Sequence, residues 1–140
     1  MCIVRSELPG KTWDVFHMLV SCPRLRDERP AMNPEDPVKR QLDAYNAHDL
    51  ERFVAEYADD IQVFVPPATE PVLSGMQDFT EHYRQNRFTL PHLHAEVMQR
   101  IVSGNTVVDH ERVTGLGPDT IEAVAVYRVA DGRITAVWFY

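Results

Sequence analysis

The sequence predicts an α+β domain in which three helices pack on a curved, mostly antiparallel sheet. Apolar residues recur at helical spacing over most of the stretch up to about residue 90, whereas beyond Pro91 they recur mostly at alternate positions. Clusters of Gly, Asn, Asp and Pro then cut that second half into strand-length pieces. A chain of 140 residues has room for one such domain and one core.

The elements follow in order. Asp36 can cap a first helix with Pro37 at its first position, and Val38, Leu42 and Tyr45 share one face. Asn46-Ala47-His48 breaks it, and Asp49 caps a second helix with Leu50, Phe53, Val54 and Tyr57 on its apolar face, ending at Ala58-Asp59-Asp60. Ile61 to Val65 is a short β-type run stopped by Pro66-Pro67. Ser74 and Gln77 have the spacing of a capping box and open a third helix with Met76, Phe79 and Tyr83 inward.

After Pro91, Leu93, Ala95, Val97 and Ile101 define a strand that turns at Ser103-Gly104-Asn105 into Thr106 to Thr114. The Gly115 to Asp119 loop leads to Thr120 to Val129, and Asp131-Gly132 turns the chain into Arg133 to Tyr140. Helices gathered on one face of such a sheet leave a cavity between the two layers.

Residues 1–31 read differently. Both cysteines, Cys2 and Cys22, lie there, so residues 32–140 hold neither a disulfide framework nor a cysteine metal site. The apolar stretch Trp13 to Cys22 is interrupted by Asp14 and His17, too short for a membrane span and poorly suited to a secretory signal. Pro23 to Pro30 reads as a linker. The expectation is a poorly ordered extension, or a segment added by an upstream start with Met32 the natural first residue. A short helix docking Trp13, Phe16 and Leu19 is the alternative.

Of the 14 basic and 21 acidic residues, five and four fall in that segment, leaving 9 and 17, a net of −8, for residues 32–140. So acidic a domain is a poor polyanion binder, and neither nucleic acid nor membrane is expected as a partner; a cytoplasmic location is.

Leu42-Asp43-Ala44-Tyr45-Asn46-Ala47-His48-Asp49-Leu50, Tyr57-Ala58-Asp59-Asp60, Leu73-Ser74-Gly75, Asp109 to Gly115 and Ala123 to Tyr127 carry a likeness to a known family. Over about residues 36–140 the chain resembles the SnoaL-like branch of the nuclear-transport-factor-2-like superfamily. The resemblance implies a cone-shaped barrel and a homodimer formed through the outer sheet face. It says less about activity, because isomerases, hydrolases, cyclases and plain binding modules share that scaffold.

Two catalytic classes of the fold can be compared by position. Ketosteroid isomerases use a carboxylate base and an oxyanion hole of a tyrosine and a protonated aspartate. The resemblance puts those groups at Val65, Gln41 and Ala125, none of which can do that chemistry; the supporting tyrosines match at Tyr57 and Tyr83. Limonene-type epoxide hydrolases, similar at Glu111-Arg112-Val113, need an Arg-x-Asp and a facing aspartate, but Thr114 and the region of Phe139 stand there. Residue content therefore argues against both activities.

The same likeness turns Val108, His110, Arg112 and Thr114 toward the cavity and Asp109, Glu111 and Val113 away, with Ala123, Ala125, Tyr127, Val137 and Phe139 inward on the later strands. His110 and Arg112 become the catalytic candidates, as acid–base and anion-binding groups, although a solvated cross-strand polar cluster with a carboxylate such as Glu96 explains them as well. The expected pocket comprises Gln41, Tyr57, Val65, Tyr83, Val108, His110, Arg112, Ala125, Tyr127, Val137 and Phe139.

His92, His94 and Glu96 project from one strand face, but nothing converges with them, so neither a metal nor another cofactor is expected. Trp138, Tyr140, Val124 and Val126 make the outer sheet face apolar, as a dimer interface would require. The expected function is binding of a small hydrophobic molecule. An isomerase, cyclase or hydrolase acting on a polycyclic or aromatic metabolite is one alternative, and a non-catalytic dimerisation module another.

Overall fold

The computed structural model describes residues 32–140; the expectations for residues 1–31 lie outside the described residues. Three helices, α1 (Glu35–Asn46), α2 (Leu50–Val54) and α3 (Met76–Asn86), accompany six strands: β1 (Tyr57–Phe64), β2 (Leu73–Ser74), β3 (His94–Ser103), β4 (Thr106–Thr114), β5 (Ile121–Ala130) and β6 (Arg133–Phe139). The strands form one sheet in the order β2-β1-β6-β5-β4-β3, antiparallel except where β1 runs parallel to β6. The sheet curves but does not close, so it is an open half-cone with β2 and β3 at its edges, not the barrel expected.

Local chemistry explains each helix, with adjustments to the sequence reading. α1 begins a residue before Asp36: the Glu35 N–H donates to Asn33 Oδ1 (3.0 Å), and Glu35 and Asp36 place negative charge in the first turn. Val38, Gln41, Ala44 and Tyr45 then form its buried stripe. α2, at five residues, is too short to persist by itself. It is held by Asp49, whose side chain accepts from the Arg52 N–H (3.1 Å), and by Phe53, whose ring lies within 5.8 Å of those of Tyr45, Tyr57, Phe79, Tyr83 and Phe88.

The second helix stops at Val54, so Tyr57 opens β1 instead of closing the helix, and Ala58-Asp59-Asp60 lies within the strand. An irregularity between Tyr57 and Gln62 conceals the strand period, because β1 advances from Tyr57 to Gln62 while β6 advances only from Ile134 to Ala136. For α3 the expected capping box does not form. Ser74 belongs to β2, and Gly75, at φ 89°, takes the cap position with its N–H donated to the Ile61 carbonyl (2.8 Å).

The last four strands form a continuous antiparallel meander. Asp131 and Gly132 both adopt positive φ (52° and 76°) in the two-residue turn between β5 and β6, as a primed hairpin turn requires. β3 carries a bulge between Val97 and Gln99 that shifts its pairing with β4 by one residue. The core lies between the helices and the concave face, with Val38, Phe53, Ile61, Phe79, Val107 and Ile134 among its fully buried side chains.

Candidate functional site

Helices and sheet enclose a cavity of about 440 Å³. Its walls are mostly apolar: Phe53, Tyr45 and Tyr83 from the helical layer, and Val63, Val113 and Phe139 from the sheet. Val65, Val72 and Ile121 line it and are also solvent-exposed, so they mark an open rim.

A chain of hydrogen bonds crosses this apolar surround. Tyr57 Oη donates to Gln41 Oε1 (3.1 Å), Gln41 Nε2 to Tyr127 Oη (3.4 Å), and Tyr127 Oη to Glu111 Oε1 (2.9 Å). All four residues are buried and all four line the cavity. Burial pushes the Glu111 carboxyl up to about 7, against the pull of the Tyr127 hydrogen bond; nearby Asp109 raises it further and Arg100 lowers it. Glu111 therefore populates both protonation states near neutrality. Among the described residues its second oxygen makes no hydrogen bond, yet no fully buried polar side-chain atom lacks a partner, so that oxygen faces the cavity space.

The Tyr45 and Tyr83 hydroxyls also make no hydrogen bond among the described residues, and by the same reasoning they open into the cavity. Burial raises both acidities' midpoints, that of Tyr45 to about 12, so each is a neutral donor across the physiological range. Asp109, fully buried next to this site, is held by Arg100 through two bonds (Nε–Oδ1 2.7 Å, Nη2–Oδ2 2.8 Å).

Of the residues expected in the pocket, Gln41, Tyr57, Val65, Tyr83, Tyr127 and Phe139 line the cavity. Ala125 and Val137 are buried in the sheet but do not line it. Val108, His110 and Arg112 lie on the opposite, convex face. His110 Nε2 and Arg112 Nη2 each sit 3.4 Å from a Glu122 carboxylate oxygen, with side chains 42% and 43% exposed. The face assigned to β4 is thus inverted: His110 stands opposite Val124, and Glu111 stands opposite the cavity-lining Ala123.

Family likeness set the expected face, whereas in the structure the bulge in β3 sets the register. Unbroken alternation from Leu93 through Ile101 to the Gly104-Asn105 turn would pair the inward residues of β3 with even positions of β4. The extra residue near Met98 turns Ile101 out, to 63% exposure, and brings Val107, Asp109, Glu111 and Val113 inward. Glu111 was therefore missed, and the hint that Ile101 does not continue the pattern lay in the longer gap between it and Val97.

His92, His94 and Glu96 are exposed, and no group of three metal-holding side chains occurs among the described residues. No helix among them is long and apolar enough to cross a membrane.

Three helices against an open, strongly curved mixed sheet, with a cavity between, define the nuclear-transport-factor-2-like fold. An NTF2-like protein of unknown function from Cytophaga hutchinsonii shares it at a TM-score of 0.66 and 17% identity, over 80% of this chain and 92% of that one. The SnoaL-like domain matches residues 38–137, and the chain belongs to that family. An uncharacterized cystatin fold protein from Novosphingobium aromaticivorans is similar at 24% identity and TM-score 0.70, covering 79% of this chain and 99% of its own. A protein from Sinorhizobium meliloti, provisionally named a polyketide cyclase, is similar at 19% identity and TM-score 0.65, covering 81% and 96%. No curated protein matches the chain.

Proposed function

We propose that this SnoaL-like domain binds a small, largely apolar molecule in its cavity and exchanges a proton with it through Glu111. The observation that carries this reading is the buried Tyr57–Gln41–Tyr127–Glu111 chain, which brings one titrating carboxyl to the wall of an otherwise apolar space. His110 and Arg112, on the convex face, take no part in it.

The cavity has the parts for enolisation. The Glu111 carboxylate removes a proton from the carbon beside a ligand carbonyl, and the C–H electron pair becomes the C=C bond of an enolate. Negative charge gathers on the oxygen, where a Tyr45 or Tyr83 hydroxyl can donate to it; the proton then returns from Glu111 to carbon. That step is common to isomerisations and to ring closures by carbon–carbon bond formation, so the name of the Sinorhizobium meliloti relative is compatible with it.

A substrate-independent test uses 1-tetralone in D₂O. The wild-type protein should speed exchange of the hydrogens next to the carbonyl, followed by NMR, and the ketone should raise the melting temperature. Glu111→Gln should abolish the added exchange and leave affinity within a few-fold. Binding without exchange would leave only the binding module, and no binding of any hydrophobic probe would leave neither.

The convex face supports a homodimer. Phe64 stacks on Trp138 (5.2 Å between ring centroids, 10° apart), Arg128 lies over the same indole (4.9 Å), and Val108 and Val126 continue the apolar strip.

A further inference from the structure

Among the described residues that line the cavity, Glu111 is the only carboxylate and Arg87 the only side chain with a permanent positive charge. Arg87 follows α3, where its N–H donates to the Tyr83 carbonyl (3.0 Å) and its Nη1 to the Asn86 carbonyl (3.0 Å). A cation at a helix C-terminus complements the helix dipole, and that alone would explain an arginine here. Arg84, one turn earlier, fits that plain role: it is exposed and ion-paired to Glu81 at 2.6 Å. Arg87 differs on both points. It is half-buried on the cavity wall, and among the described residues no carboxylate lies within ion-pair distance of it.

The location of its charge can be read from its neighbours. The Arg87 guanidinium acts electrostatically on the Tyr45 and Tyr83 hydroxyls and on the His82 imidazole, whereas the charged neighbours of Glu111 are Asp109 and Arg100. Burial and the Arg87 charge both disfavour protonation of His82, so among the described lining residues the positive charge there is that of Arg87. The two charged groups also come from different layers of the cavity wall, Arg87 from the end of α3 and Glu111 from β4, and Tyr45, Phe53 and Tyr83 line the same space.

We infer that the cavity selects an amphipathic anion, a ligand whose carboxylate or similar oxyanion pairs with Arg87 while its apolar body extends along the aromatic wall toward Glu111. The inference rests on the cavity-binding reading above and adds the chemical class of the ligand. The orientation follows from charge. An anion placed at the Glu111 end would meet a second carboxylate in an apolar setting, whereas at Arg87 it meets an unpaired guanidinium with several donors in one plane. Its charged end would also keep partial access to water, which lowers the desolvation penalty.

The test compares 2-naphthoate with its uncharged counterpart 2-naphthamide, titrated calorimetrically into the full chain. Wild-type protein should bind the naphthoate about tenfold more tightly, as a charge-assisted contact implies. Arg87→Gln should remove that preference and leave naphthamide affinity within about twofold, which also reports that the variant is folded. Arg84→Gln should change neither affinity. Equal binding of the two probes by wild type, a preference that survives Arg87→Gln, or one that Arg84→Gln removes equally well, would overturn the inference and leave cavity binding standing. Failure of both probes to bind would count against the cavity-binding reading itself, and this inference would fall with it.

Discussion

Glu111 concentrates the chemistry of the cavity in one side chain. Its carboxyl titrates at about 7 in the folded protein because burial penalises the charge, against 4.5 when exposed. A folded state that holds its proton more tightly than the unfolded chain loses stability as pH rises through the interval from 4.5 to about 7, and loses no more above it. At ~1.4 kcal/mol per pH unit the loss is on the order of 3 kcal/mol. Glu111→Gln should remove this slope, so denaturant unfolding should find the variant gaining on wild type between pH 4.5 and pH 8. A constant difference across that range would show that Glu111 is not the titrating group. Tyr127→Phe deletes the hydrogen bond that favours the carboxylate, so carbon-detected NMR titration should place the Glu111 midpoint above 7.

At the scale of elements, legibility in the sequence depended on whether a period was interrupted. α1, α3 and β5 were readable because their apolar stripes are unbroken, and β6 because Asp131-Gly132 marks its turn, although a register shift against β5 interrupts its alternation. Gln41, Tyr57 and Tyr83 were assigned to the pocket through family likeness; of the three only Tyr83 also falls on a stripe read in its correct element, since Tyr57 opens β1 and Gln41 lies outside the Val38, Leu42 and Tyr45 stripe. Glu111 was not, because both faces of β4 mix valines with charged residues. Its burial depends on a bulge in a neighbouring strand and on the pairing across β4 and β5, which are tertiary facts. The loop between β4 and β5 shows a similar dependence. Gly115 adopts φ 84°, and a Cβ there would run into the His92 carbonyl just before β3. Gly115→Ala should therefore destabilise the domain by about 2 kcal/mol or more, seen as a clear fall in melting temperature. Gly104→Ala, at φ 57° with open space around it, should cost less than about 1.5 kcal/mol.

For the whole molecule, the two faces of the sheet divide the work between the concave side, which holds the cavity, and the convex side, which carries the apolar strip around Trp138. If the strip joins two copies, sedimentation equilibrium should give twice 16.1 kDa, and Val126→Lys should give 16.1 kDa with unchanged melting of the cavity-bound form. A monomeric wild type would dismiss the dimer and leave the cavity untouched. The strand order places the last strand of the chain inside the sheet. β6 lies between β5, its hairpin neighbour, and β1, with which Tyr57 and Ile134 are paired across most of the domain's length. Such a pairing closes a very long loop, so it is slow to form and brings little reward until the strands between are in place. During synthesis, α1, α2, β1 and α3 would therefore emerge with Phe53, Phe79 and Ile61 still lacking the sheet that covers them, and no partial cavity could hold a ligand. Only when β6 slots between its two neighbours do the walls meet, which makes the binding site and the folded state a single cooperative event.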